Sequence, residues 1–275
     1  MTLPHPRTQE GQAGLAALTA DPAHALVATD FDGTLAPIVD DPAAAVAVAG
    51  AAGALGRLAP LVGTLAIITG RPAADAVALG GFAHVPGLIV LGHYGAERWQ
   101  GGILRAASAP EGIAAARQAL PRLLAAAGAP DGTRLEDKGT ALAVHTRQAA
   151  DPEAALTLLR GPLARLAADS GLLLEPGRLV LELRPPGTDK GTALRGLAAE
   201  RGARSVLFCG DDLGDLTAFA ALRELRAAGV AGCAVASANP EVPQVSATAD
   251  LVVDGPPGVV RLLTSLADAV RAASA

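Results

Sequence analysis

Four short stretches of this chain are apolar at nearly every position and then stop at a polar residue: "HALVATD" (24–30), "TLAIITG" (64–70), "GLIVLGH" (87–93) and "SVLFCGD" (205–211). A strand with one wet face alternates apolar and polar residues. Continuous apolar runs of this length belong instead to strands buried on both faces. Helix-like segments separate them: 45–61, a helix starting near Pro72, 188–202 with Thr188 as its cap, and a closing helix over 256–273. Buried strands alternating with helices predict an α/β fold, a parallel sheet covered by helices on both sides.

The middle of the chain reads differently. Residues 111–128 are helical in pattern, and 133–147 suggest two strands around Asp137-Lys138-Gly139-Thr140. Residues 151–171 suggest a second helix, with Asp151 as N-cap and Pro152 in its first turn. Residues 172–187 suggest a hairpin about Pro176-Gly177. The order αββαββ is an α+β module inserted into the parallel-sheet domain. The expected division is 1–103 with 185–275, and 104–184, with joints at the Gly- and Pro-rich 100–102 and 184–187.

Polar residues gather where apolar strands stop. Asp30 and Asp32 follow the first, Thr69 the second, and Asp211, Asp212 and Asp215 the fourth, while Lys190 opens a helix. In open parallel sheets, ligands bind beyond the carboxyl ends of the strands, so these groups are expected at one edge. Taken singly, each reads as a turn, a cap or a surface charge. Together they are chemically complementary. Asp30, Asp211 and Asp212 offer the oxygen ligands that suit Mg²⁺, and Thr69 and Lys190 suit a phosphoryl group. A carboxylate can attack phosphorus, and a second acid two residues on can move protons. Asp40 and Asp41 read as a polar loop, with Asp41 capping ahead of Pro42.

The strings "DFDGTLAPI", "IITGRP", "DKGTAL" and "GDDLGD" resemble the four motifs of the haloacid-dehalogenase (HAD) superfamily. The resemblance implies a Rossmann-like core with an inserted cap. It makes Asp30 the nucleophile and Asp32 the general acid/base, with Thr69 and Lys190 holding the phosphoryl group. It places Mg²⁺ on Asp30, the Asp32 carbonyl and Asp211, with Asp212 and Asp215 binding through water or orienting those ligands. Further strings, "GHYGAE", "LEDKGTALAVHTR" and "LELRPPGTDKG", are similar to the trehalose-6-phosphate phosphatase branch. That likeness implies trehalose 6-phosphate as substrate, with Gly70, Arg71, Glu97, Glu136, Lys138 and Glu182 binding it. The chain departs from the branch at Tyr94, where a His is usual, and at Gly214, where a Thr is usual. A phosphatase for another sugar or polyol phosphate stays open, as does a module that keeps its phosphorylated aspartate.

With 51% hydrophobic and 18% charged residues in 275, a packed domain is expected over disorder. A net charge of −5 without a basic cluster argues against nucleic acid. No apolar run approaches a membrane span, and the start lacks a signal pattern. A cytoplasmic monomer is expected. Cys209 and Cys233 lie in apolar contexts and read as small buried residues.

Overall fold

A computed structural model describes residues 3–39, 41–106, 111–177 and 179–273. The expectation for Asp40 lies outside the described residues. The chain divides into two compact units, Met1–Arg105 with Asp189–Ala275, and Ala106–Thr188. In chain order the elements are α1 (Gln9–Ala20), β1 (Ala25–Thr29), α2 (Ala51–Leu58), β2 (Thr64–Ile68), α3 (Ala73–Gly80), β3 (Ile89–Gly92), β4 (Glu97–Gln100) and β5 (Ile103–Ala106). Next come α4 (Glu111–Ala126), β6 (Arg134–Asp137), β7 (Leu142–His145), α5 (Pro152–Asp169), β8 (Leu173–Gly177) and β9 (Val180–Arg184). The first unit then resumes with α6 (Lys190–Arg201), β10 (Ser205–Gly210), α7 (Leu216–Ala227), β11 (Ala231–Ser237), α8 (Pro243–Thr248), β12 (Leu251–Val253) and α9 (Gly255–Ala273).

The larger sheet runs β12-β11-β10-β1-β2-β3-β4-β5. Every pairing from β12 to β3 is parallel, and β3–β4 is antiparallel. Successive residues of β1 enter opposite cores. Val27 joins Leu18, Leu55 and Leu262, from α1, α2 and α9. Leu26 and Ala28 join Leu194, Phe219 and Leu222, from α6 and α7. Both faces are therefore dry, which is why the strands carry no alternation. The smaller sheet, β6-β7-β9-β8, lays Leu142, Val144, Leu181 and Leu183 against Leu120 of α4 and Leu159 and Leu163 of α5.

Several local expectations shift. The helix expected over 45–61 starts only at Ala51. Gly50 is left-handed at φ 88°, and Ala47 and Val48 donate to the Leu79 and Leu35 carbonyls instead. Asp189, not Thr188, caps α6, accepting from the Thr192 N–H. Pro176 and Gly177 lie within β8, and the hairpin turns after them, with Leu179 at φ 58°. The β4–β5 hairpin was not foreseen. Gly101 and Gly102, at φ 59° and 82°, supply the two left-handed residues that its tight turn needs. Asp151 and Asp41 cap as expected, accepting from Ala154 and Ala43. Both cysteines are buried and unpaired. Among the described residues, no helix is long and apolar enough to cross a membrane.

Asp250 ties three elements of the first unit together. Its carboxylate accepts from Thr8 Oγ1 at 2.5 Å, from the Ala234 N–H at 2.7 Å, and from Arg226. Thr8 in turn caps α1. Burial opposes the Asp250 charge, but the three donors outweigh it and hold the carboxyl below its ordinary value. Removing one partner of a buried pair strands the other, so Asp250→Ala is expected to cost about 3 kcal/mol in urea unfolding at pH 7. A depressed carboxylate stabilises above its unfolded pKa, and that stabilisation is lost as pH falls through the folded value. The gap between variant and wild type should therefore narrow below about pH 4. A gap unchanged at low pH would contradict this account.

Candidate active site at the carboxyl ends of the parallel strands

Asp30 extends the β1–β10 ladder by one residue, its N–H donating to the Cys209 carbonyl at 2.8 Å. Its side chain is 5% exposed. Gly33 follows at φ 68°, and a Cβ there would sit 2.0 Å from the Asp211 carboxylate, so only glycine lets this loop reach the end of β10. Thr34 Oγ1 donates to Asp211 Oδ1 at 3.2 Å, and Asn239 Nδ2 to Oδ2 at 3.1 Å. Ser237 Oγ holds the Gly33 carbonyl at 2.7 Å.

Lys190, in the first turn of α6, is the hub. Its Nζ lies 2.8 Å from Asp30 Oδ2, 2.7 Å from Asp215 Oδ1 and 3.6 Å from Asp212 Oδ1. Asp215 is wholly buried, and its other oxygen accepts from the Asp211 and Asp212 N–H groups at 2.8 and 3.0 Å. A Cβ on Gly210 would strike that carboxylate at 2.2 Å. Asp215 therefore braces both the lysine and the acidic loop.

Negative charge exceeds positive here. Burial, reinforced by Asp215, Asp212 and Asp211, pushes Asp30 well above the usual carboxylate range against the pull of Lys190. Burial likewise raises Asp211 to about 6 and Asp215 to about 7. Burial opposes the Asp212 charge as well, but Lys190 and Asp215 outweigh it and lower its pKa. Burial works against the Lys190 ammonium, yet Asp215, Asp30 and Asp212 hold its pKa well above the lysine range. Carboxylate oxygens of Asp30, Asp212 and Asp215 lie within 4.8 Å of one another. Hard oxygen donors with a charge surplus fit a small divalent cation.

The structure brings together Asp30, Lys190, Asp211, Asp212 and Asp215. The Asp32 side chain lies on Arg71, its two oxygens each accepting at 2.6 Å. Thr69 is buried at the end of β2, and its hydroxyl accepts from the Arg71 N–H at 3.2 Å. The Thr69 and Arg71 carbonyls accept from Tyr94 and His93, each at 2.9 Å, and these two residues stand at φ 58° and 47°. A Cβ on Gly70 would come within 2.7 Å of the Tyr94 hydroxyl, so glycine lets the tyrosine ring lie against this turn. Glu97 Oε2 accepts from the Ala73 N–H at 2.8 Å. It caps α3, whose N-cap Pro72 has no side-chain acceptor.

In the second unit, Glu136, Ala143, Glu182 and Glu175 stand opposite one another across four strands, on one face of the sheet. Each acid has a basic partner: His145 on Glu136 and Lys138 on Glu182, both at 2.7 Å, and Arg184 on Glu175 at 2.9 Å. Thr34, Asn239, Ser237 and Glu175 were not among the expected site residues. Thr34 was within reach of the sequence, standing inside the first motif.

A family model described as trehalose-phosphatase matches residues 28–257. The chain belongs to the trehalose-phosphatase family. Members similar to it include the trehalose-6-phosphate phosphatase of Escherichia coli K12, 34% identical over 200 residues, covering 71% of this chain and 73% of that one. The trehalose-phosphate phosphatase of Mycobacterium avium is 37% identical over 212 residues, covering 73% of this chain. That match takes in only 52% of the Mycobacterium protein, so the chain spans about half of its length. Aspergillus fumigatus trehalose-6-phosphate phosphatase superposes with a TM-score of 0.70 at 24% identity, over 96% of this chain and 99% of that one. A haloacid dehalogenase-like hydrolase from Bacteroides thetaiotaomicron gives 0.58 at 17% identity, over 87% and 98%. The family fold is thus the α/β fold expected, a parallel-rich sheet between helices with a separate antiparallel sheet.

Proposed function

We propose that the chain is a Mg²⁺-dependent phosphatase that hydrolyses trehalose 6-phosphate to trehalose and phosphate. The observation that carries this reading is the buried Asp30 carboxylate on Lys190 beside a surplus of acids, in a chain of this family. In the first step an Asp30 oxygen bonds to phosphorus as the bond from phosphorus to the sugar oxygen breaks. The departing oxygen takes the proton of the Asp32 carboxyl. In the second step Asp32 takes a proton from water, whose oxygen attacks phosphorus. Phosphate leaves, and the Asp30 carboxylate is restored. Thr69 donates to a phosphoryl oxygen, and Lys190 balances the charge of the transferring group. Asp30, Asp211 and the Asp32 carbonyl would hold Mg²⁺, with Asp212 and Asp215 binding through water or orienting those ligands. Bound there, the ion supplies positive charge that offsets the carboxylates and the phosphoryl oxygens.

The second unit is assigned to the leaving group. A disaccharide presents hydroxyls, which charged acceptors and donors recognise well. Glu136, Lys138 and Glu182 supply such groups.

The test is release of inorganic phosphate from trehalose 6-phosphate, beside sucrose and polyol phosphates, with Mg²⁺ and with chelator. Activity should be highest on trehalose 6-phosphate and should disappear on chelation. Equal rates on all esters would remove the substrate assignment, and full activity in chelator would remove the ion.

A further inference from the structure

Arg71 was expected among the substrate-binding residues, yet its side chain is already engaged. Nε donates to Asp32 Oδ2 and Nη2 to Asp32 Oδ1, each at 2.6 Å, which forms a two-pronged fork. Nη1 donates to the Pro42 carbonyl at 2.8 Å. The guanidinium also lies 5.6 Å from the centre of the Phe31 ring, the residue between Asp30 and Asp32. The Arg71 backbone is pinned as well, by Thr69 Oγ1 and by the His93 N–H. The arginine is therefore fixed on several sides, while Asp32 sits at a loop with 37% of its side chain exposed and takes two side-chain hydrogen bonds from Arg71.

We propose that Arg71 is the positioning residue for Asp32: its fork aims the carboxyl that passes the proton to and from the reacting oxygen. This rests on the acid/base reading of Asp32 given above. A carboxyl that must meet the leaving oxygen in the first step and water in the second gains from being held in one place. General acid–base catalysis is worth roughly 10²–10⁴-fold, and loose placement forfeits part of it. The fork also explains the choice of arginine, since an ammonium cannot make two parallel hydrogen bonds.

The experiment compares two esters in the full chain: trehalose 6-phosphate, whose alkoxide must be protonated, and p-nitrophenyl phosphate, whose phenolate leaves without help. Arg71→Ala, Arg71→Lys, Asp32→Asn and the double variant Arg71→Ala/Asp32→Asn are assayed for KM and for the single-turnover rate of leaving-group release, which reads the first step apart from the second, common one. Positioning predicts that both Arg71 variants lose at least about tenfold more of the leaving-group release rate on the sugar ester than on the aryl ester. KM should change less than about threefold, and Lys should not rescue. The double variant should be no slower than Asp32→Asn alone, because two residues acting as a unit do not add. A rise in KM on both esters that Lys restores would make Arg71 a phosphate anchor and overturn the proposal. Equal losses in the rate of leaving-group release on both esters would make it a structural support and also overturn it. If Asp32→Asn itself slows leaving-group release from both esters alike, the assignment of Asp32 as the acid falls first, and the proposal falls with it.

Discussion

Asp30→Asn is expected to abolish phosphate release, by about a thousandfold or more, while leaving the fold as stable as before or more so. The loss of activity follows from chemistry: an amide cannot form the acyl phosphate on which both steps depend. The gain in stability follows from the surroundings. Asp30 is buried, its Lys190 partner is shared with Asp215 and Asp212, and its carboxyl is raised well above the ordinary range. A carboxyl raised in the folded state binds protons better folded than unfolded, so it erodes stability as pH climbs past its unfolded value near 4. Asparagine keeps the shape and removes that charge. Thermal unfolding at pH 8 without divalent cation should give a Tm equal to or above wild type. The pairing of a dead enzyme with an undiminished Tm is the mark of a residue kept for function against the interest of the fold. Activity within tenfold of wild type would end the nucleophile assignment.

What could be read in the sequence was whatever leaves a mark at short range. Val27 and its neighbours leave one, because both faces of β1 are dry and each position must be apolar. Asp30 and Asp211 leave one, because acids rarely end such runs. The β4–β5 hairpin leaves almost none: Glu97, Arg98 and Gln100 are polar and only Trp99 is buried, so it lacks the alternation of a strand with one buried face. The true start of α2 was hidden in an alanine-rich background, where only Gly50 marks the break. Glu97 shows the other limit. Its Oε2 accepts from the Ala73 N–H at the start of α3, 24 residues away in sequence, and no local pattern carries that contact. Asn239 is harder still, since its partner Asp211 is 28 residues distant.

Lys190→Met should damage both activity and stability. The lysine is 3% exposed, and its ammonium is the cation that Asp30, Asp215 and Asp212 share. Methionine fills a similar volume, so the loss is electrostatic rather than a cavity. Stripping the cation from buried carboxylates costs about 3–5 kcal/mol, which for a chain of this size lowers Tm by about 10 °C. The sign with pH is fixed by the direction of the shift. A lysine raised in the folded state contributes its full stabilisation below its unfolded pKa, and loses it only as pH rises through the folded value. Wild type should thus be protected throughout neutral pH. The double variant Lys190→Met/Asp215→Asn is the control, because it removes the wholly buried acid that the ammonium holds at 2.7 Å. It should recover a large part of the lost Tm and none of the phosphate release, since stability depends on the balance of charge and turnover depends on the ammonium itself. Equal Tm values for the single and double variants would mean that Lys190 and Asp215 do not couple. The brace from α6 to the acidic loop would then have to be sought elsewhere.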